Sequence, residues 1–250
     1  GDVELRAEAM EWRLPALIGL GDLAGARREL EQVLELGSTM GQPFILHVAE
    51  HYGSAIALCE GRLDEAERRA ERSREWSRPL MTGRDPSGVY GVQMFSVRRE
   101  QGRLAELAPV VRVLAGGCQT ASAWGPGLAA LLAELGMAGE TRRTLARVLA
   151  GGLDPLRESL WLASLTYLTD AASAVGDRET AALVYPELEP LAGRNVMIGY
   201  GVASYGAADR YLGMLAATLG QWERAEEHFG AAIALNQRMG ARTWLAHTGY

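Results

Sequence analysis

A single glycine recurs along this chain at the end of one apolar-periodic segment and the start of the next, and its recurrence restricts the fold more than any other feature. It stands at Gly21, Gly61, Gly102, Gly136, Gly176 and Gly220, at spacings of 40, 41, 34, 40 and 44 residues. Self-similarity at such a period marks a repeat architecture. The fifth residue after each glycine is mostly small: Ala26, Ala66, Leu107, Thr141, Ala181 and Ala225. Glycine enters the left-handed conformation that closes a helix, and a small side chain lets the next helix approach closely.

Between the glycines the apolar period is helical. Leu23, Ala26, Leu30, Val33 and Leu34 form one stripe; Leu212, Leu215, Ala216 and Leu219 form another. The pattern predicts antiparallel pairs over 3–19 with 22–37, 43–60 with 62–78, and 88–101 with 103–115. It continues through 124–135 with 138–150, 156–175 with 177–191, and 205–219 with 221–238. Segments 79–87, 116–123 and 192–204 read as loops between repeats, and no strand is expected. A helix pair cannot bury its apolar face alone, so the pairs must stack.

In the last unit, Leu212-Gly213, Gly220, Ala225, Phe229 and Ala232 stand where a tetratricopeptide repeat places its Leu-Gly, turn glycine and small–aromatic–small series. The expected fold is all-α: a right-handed tetratricopeptide-like superhelix of about six antiparallel helix pairs, forming one solenoid over residues 1–250.

Composition removes several chemistries. All 25 basic residues are Arg and none is Lys. A phosphate-loop lysine, a Schiff-base lysine and a kinase strand lysine are therefore missing from this chain. The net charge of -6 argues against a generic nucleic-acid or anionic-membrane binder. No apolar run approaches membrane-span length, so a cytoplasmic protein is expected. Cys59 and Cys118 are too few for a disulfide framework and read as free thiols. The six Trp read mostly as core or inter-repeat packing; Trp124, beside Gly125 and Pro126, is the one suspected of facing a groove.

Residues 192–250 resemble the C-terminal helical-repeat region of large bacterial AAA/STAND signalling ATPases. The likeness rests on Gly193-Arg194-Asn195-Val196, on Arg210-Tyr211-Leu212-Gly213 running through Leu215 to Gly220, and on Asn236 to Arg242. In that family the repeats accompany a LuxR-type transcription-regulator or class III adenylate/guanylate cyclase output domain. The resemblance implies a sensor or partner-binding segment. The chain begins within a helical pattern and ends at Tyr250 within another, with no polar capping helix, so a fragment of a larger signalling protein is expected.

The sharpest chemical motif is His47-Val48-Ala49-Glu50-His51, an H-x-x-E-H pattern that would put two imidazoles on one helix face beside a carboxylate. It is the basis of an alternative reading as a zinc-dependent hydrolase. No third ligand comes from that repeat, so the two His are read as ordinary helix residues whose replacement by Ala leaves stability nearly unchanged. Gly199 to Gly206 is glycine-rich before a helix, but it is not G-x-G-x-x-G and no strand is expected before it, so it reads as a flexible inter-repeat loop. The run Glu60 to Arg78 reads as a solvated face with Asp64–Arg68 and Glu65–Arg69 at ion-pair spacing.

The functional expectation is a non-catalytic module with no cofactor, no metal and no catalytic residue. It would bind a protein partner or small-molecule effector, without touching nucleic acid or membrane. Its uncapped C-terminal end would offer a homodimer contact, which makes self-association a further alternative. Counting back from each turn glycine places His51, Arg99, Thr166, Asp170 and Arg210 on the concave wall, with Glu100 and Glu134 one position further on.

Overall fold

All six marker glycines take positive φ, from +64° to +81°, so each closes a helix in the left-handed conformation as the spacing predicts. The computed structural model describes residues 3–78, 87–109, 111, 113, 124–157 and 160–249. It is predominantly helical. In chain order the helices are α1 (Val3–Gly19), α2 (Leu23–Met40), α3 (Pro43–Cys59), α4 (Leu63–Ser77) and α5 (Ser87–Glu100). There follow α6 (Trp124–Glu134), α7 (Ala138–Val148), α8 (Trp161–Val175) and α9 (Arg178–Leu188). The last are α10 (Ala208–Leu219), α11 (Trp222–Met239) and α12 (Arg242–Thr248). Expected loop 116–123 and nearly all of 79–87 lie outside the described residues, as does Cys118.

One expectation is overturned. Segment 192–204 is not simply a loop: β1 (Asn195–Ile198) and β2 (Ala203–Ala207) pair as a two-stranded sheet. Gly199 to Gly206 thus covers the hairpin turn and most of β2, and a strand does precede it. Four residues of Asn-Val-Met-Ile are too short, and too little alternating, to announce a strand by periodicity.

The residues form two compact units. The first comprises Gly1–Gly102, Asn195–Gly206 and Leu235–Tyr250; the second comprises Arg103–Arg194 and Ala207–Ala234. In the first unit α1, α3 and α5 succeed one another, with α2 and α4 packed beside them. In the second, α8 contacts both α6 and α10, with α7 and α9 alongside. Unit 1 is not built from sequence neighbours alone, since β1 packs on α1 and α12 packs on α3. A simple solenoid contacts only adjacent repeats.

Within a pair the two helices differ in burial. Of α3's seventeen residues fourteen are buried, whereas α4 buries only Ala66, Ala70, Ser73 and Ser77. In unit 2, α8 buries eleven residues and α9 five. First helices are therefore covered on most sides and second helices on one. The small positions after the turn glycines fit this arrangement: Ala26, Ala66, Thr141 and Ala181 are fully buried and Ala225 nearly so. Leu107 instead falls in a short 3-10 turn (Leu104–Leu107) and is half-buried.

The tryptophans depart from expectation. Trp244 alone is core; Trp12 is 62% exposed, Trp76 39% and Trp222 70%, while Trp124 and Trp161 are half-buried. Trp222 opens α11, and a helical Cβ tilts toward the N-terminus, so its ring points past the packed turn. No helix among the described residues is long and apolar enough to cross a membrane.

Candidate functional site

The H-x-x-E-H side chains are engaged inside unit 1. His47 Nδ1 lies 2.9 Å from both the carbonyl oxygen and the hydroxyl of Ser73 on α4. Glu50 pairs with Arg69 and Arg72, each at 2.9 Å. Arg69 also holds Glu65 at 2.8 Å, so one of the two ion pairs expected on α4 forms there. His51 is 7% exposed, with the backbone of Tyr200 and Gly201 at the hairpin turn beside its ring, and its Nε2 has no hydrogen-bond partner. Burial pushes its pKa down to about 4, and neighbouring His47 adds to the fall. Burial lowers His47 as well, against a rise from its bond to Ser73. Both rings are buried, so replacing them by Ala removes packed volume. The expectation of near-unchanged stability is corrected accordingly. Among the described residues, no three His, Cys, Asp or Glu side chains gather at metal-binding distance.

Cys59 is a free, buried thiol whose pKa burial pushes up to about 12. The thiolate is the reactive form, so this group is inert at neutral pH.

The concave-wall candidates separate by burial. His51, Thr166, Asp170 and Arg210 are buried, Arg99 and Glu100 are half-buried, and Glu134 is exposed. The hydroxyl of Thr166 donates to the Ala163 carbonyl at 2.9 Å and is spent within its own helix. In unit 1, Glu100 Oε2 lies 2.7 Å from His247 Nε2, and the His247 ring stacks on Trp244. His247 gave no signal in the sequence, because it stands nearly 150 residues from its partner.

Unit 2 brings two of the candidates together. Asp170 projects from α8 and Arg210 from α10, and Arg210 Nη1 lies 3.8 Å from Asp170 Oδ1. Their side chains are 6% and 8% exposed. That separation is longer than an N–H···O hydrogen bond, which spans about 2.7–3.2 Å. Arg210 Nε and Nη1 are fully occluded and have no hydrogen-bond partner. The neighbouring charge is settled differently: Asp209 accepts from the Gly193 amide at 2.6 Å and holds His228 Nδ1 at 3.0 Å. Tyr185 contacts the other nitrogen of that ring at 2.8 Å. Buried polar atoms in folded proteins are nearly always bonded, so the unfilled donors of Arg210 stand out.

A further hollow of about 430 Å³ opens between α1 and α2 in unit 1, lined by Met10, Arg13, Leu17, Arg28 and Glu29 among others. Sequence reasoning did not find it, because it depends on the packing of two helices.

Compared with known protein families, curated proteins and solved structures, the chain matches none of them.

Proposed function

We propose that this chain is a non-catalytic helical-repeat module that binds a partner or effector and regulates an attached output. The output would be that of an ATPase-linked transcription regulator or a nucleotide cyclase, as the resemblance of residues 192–250 implies. In this reading the stacked pairs are tetratricopeptide-like and wind as a right-handed superhelix, and the protein works in the cytoplasm.

One observation carries the reading. Arg210, nearly enclosed in unit 2, keeps the guanidinium donors Nε and Nη1 without acceptors. Leaving buried donors unmet costs about 1–3 kcal/mol or more, a cost that a bound ligand removes. The hydrolase alternative has less support, since Glu50, which would be its base, is held by two arginines.

The test has two arms. In the full-length protein, Asp170→Asn/Arg210→Gln should alter signalling output at unchanged protein abundance. In the purified chain, zinc should be far below stoichiometric, and chelation should leave the melting temperature unmoved. Unaltered output together with stoichiometric zinc would overturn the proposal.

A further inference from the structure

We propose that the hollow between α1 and α2 binds a small organic monocarboxylate with an apolar body. The hollow belongs to unit 1, so the inference goes beyond the effector reading of Arg210 in unit 2 and does not depend on it.

Space comes first. At about 430 Å³ the hollow falls in the range of small-molecule sites, roughly 300–1,000 Å³, and a lone inorganic ion would leave most of it empty. Met10 and Leu17 of α1 give it an apolar wall. Arg13, Asp22, Arg28 and Glu29 bring charge to it.

The four charges are not equally free. Asp22 is the N-cap of α2, and its Oδ1 accepts from the Gly25 amide at 2.8 Å. Its negative charge therefore answers the positive end of the α2 dipole. Glu29 is 6% exposed, and its ionic partner among the described residues is Arg13, whose Nη1 stands 3.4 Å from Glu29 Oε2. Arg28 makes no hydrogen bond or ion pair among the described residues. With Asp22 committed to its helix and Glu29 set against Arg13, one positive charge is left over, on Arg28.

That remainder selects the ligand. A carboxylate accepts paired, charge-assisted bonds from a guanidinium. Arg13 is 67% exposed and approaches Glu29 through Nη1, so its five-donor fork has donors to spare for the same carboxylate. An organic cation would meet Arg13 and Arg28 with like charge. A dianion would put its second charge beside Glu29, a carboxylate already withdrawn from water and only loosely paired. A neutral molecule would leave Arg28 unanswered. Met10 and Leu17 take up the body of the ligand, where apolar burial adds affinity.

The test uses the 250-residue protein and a matched series in a thermal-shift assay at about pH 8, where a phosphate monoester carries close to two charges. Benzoate and hexanoate are the monocarboxylates. Benzamide, benzylamine and phenyl phosphate carry the same kind of body with a neutral, positive or doubly negative head, and acetate has the charge without the body. At least one monocarboxylate should raise the melting temperature in a saturable manner, and each comparison compound should bind at least tenfold more weakly. Arg28→Gln removes an exposed side chain that makes no bond, so the free variant should melt with the parent while monocarboxylate binding falls at least fivefold. Glu29→Gln removes the charge that repels a dianion and should narrow the gap between phenyl phosphate and the monocarboxylate at least threefold. On the unmodified protein, hydrogen exchange should show protection on binding in α1 and α2. The inference is overturned if neither monocarboxylate shifts the melting, if a comparison compound comes within tenfold of the better one, or if Arg28→Gln weakens binding less than fivefold. It is equally overturned if Glu29→Gln leaves the gap unchanged or if protection falls outside α1 and α2. The reading of unit 2 is tested separately, by Asp170→Asn/Arg210→Gln, so the two can fail independently.

Discussion

Unit 1 and unit 2 both bury polar side chains on their first helices, but they use them differently. In unit 1 the buried groups mostly bond to main chain. Gln93 donates to the carbonyls of His51 and Val202, Asn195 to that of Ile18, Thr243 to that of Leu58, and Trp244 to that of Ser204. Ser204 adds a bond to the Asn195 side chain at 3.1 Å. These bonds hold the hairpin among helices far from it in sequence. In unit 2 the buried Asp170–Arg210 pair makes no direct hydrogen bond. Unit 1 also leaves His51 Nε2, Gln93 Oε1 and Glu100 Oε1 without partners, so the difference lies in where the bonds go: in unit 1 they reach main chain far away in sequence, and in unit 2 the Arg210 donors Nε and Nη1 stay unfilled. The contrast is between polar groups that tie distant segments together and a charged pair held 3.8 Å apart.

The sharpest way to break this comparison is at glycine. Gly206 in β2 has φ +73°, and an added Cβ would lie 2.5 Å from Trp244 Cγ and 2.6 Å from its Cβ. Gly176, which closes α8 in unit 2, has φ +64° with nothing within 4 Å of an added Cβ. Gly206→Ala combines overpacking with left-handed strain and should cost about 4 kcal/mol. Gly176→Ala carries only the strain, about 1 kcal/mol. Equal losses in urea denaturation would show that the hairpin is not locked in unit 1.

Acid should act chiefly on unit 1. The pKa of His51 is about 4 in the folded state, below the ordinary 6.5, so the unfolded chain binds the extra proton first as pH falls. Stability from this group is complete above pH 6.5 and is lost progressively down to pH 4. The loss is on the order of 3 kcal/mol, at 1.36 kcal/mol per pKa unit. His51→Gln should flatten the melting-temperature profile over that window. An unchanged slope would contradict the burial of this ring.

In unit 2 the register of α11 can be sharpened. Ala225 is buried and Glu226 exposed. Ala225→Trp should cost ~1–3 kcal/mol or more, and Glu226→Ala should stay within ~0.5 kcal/mol. Similar melting shifts would refute the register.

The smallest expected effect falls on the pair itself. Removing both charges in Asp170→Asn/Arg210→Gln takes away two desolvated ions and should leave stability within about 1 kcal/mol of the parent. A loss of several kcal/mol would make the pair an architectural element like those of unit 1.

Far-ultraviolet circular dichroism, which the sequence predicts to be helical with no appreciable sheet, should remain dominated by helix. The hairpin spans only β1 and β2.

The helices were legible because their causes are local. Turn glycines, Asp22 and Asp177 as caps accepting from first-turn amides, and the 3.6-residue apolar period all act within a few residues of chain. The hairpin was not legible. Its strands are four and five residues long, and its stability comes from Ile18, Cys59, Gln93 and Trp244, which lie far away in sequence. The candidate site was half legible. Counting from the turn glycines selected Asp170 and Arg210 individually, yet nothing in the spacing placed one against the other. The sequence by itself determined where the chain turns helical and where each helix stops, since propensity and capping are short-range. Only the tertiary structure decided which polar residues on the first helices were enclosed. Burial and charge pairing depend on which helices pack together, and α8 and α10 set Asp170 and Arg210 3.8 Å apart across forty residues of sequence.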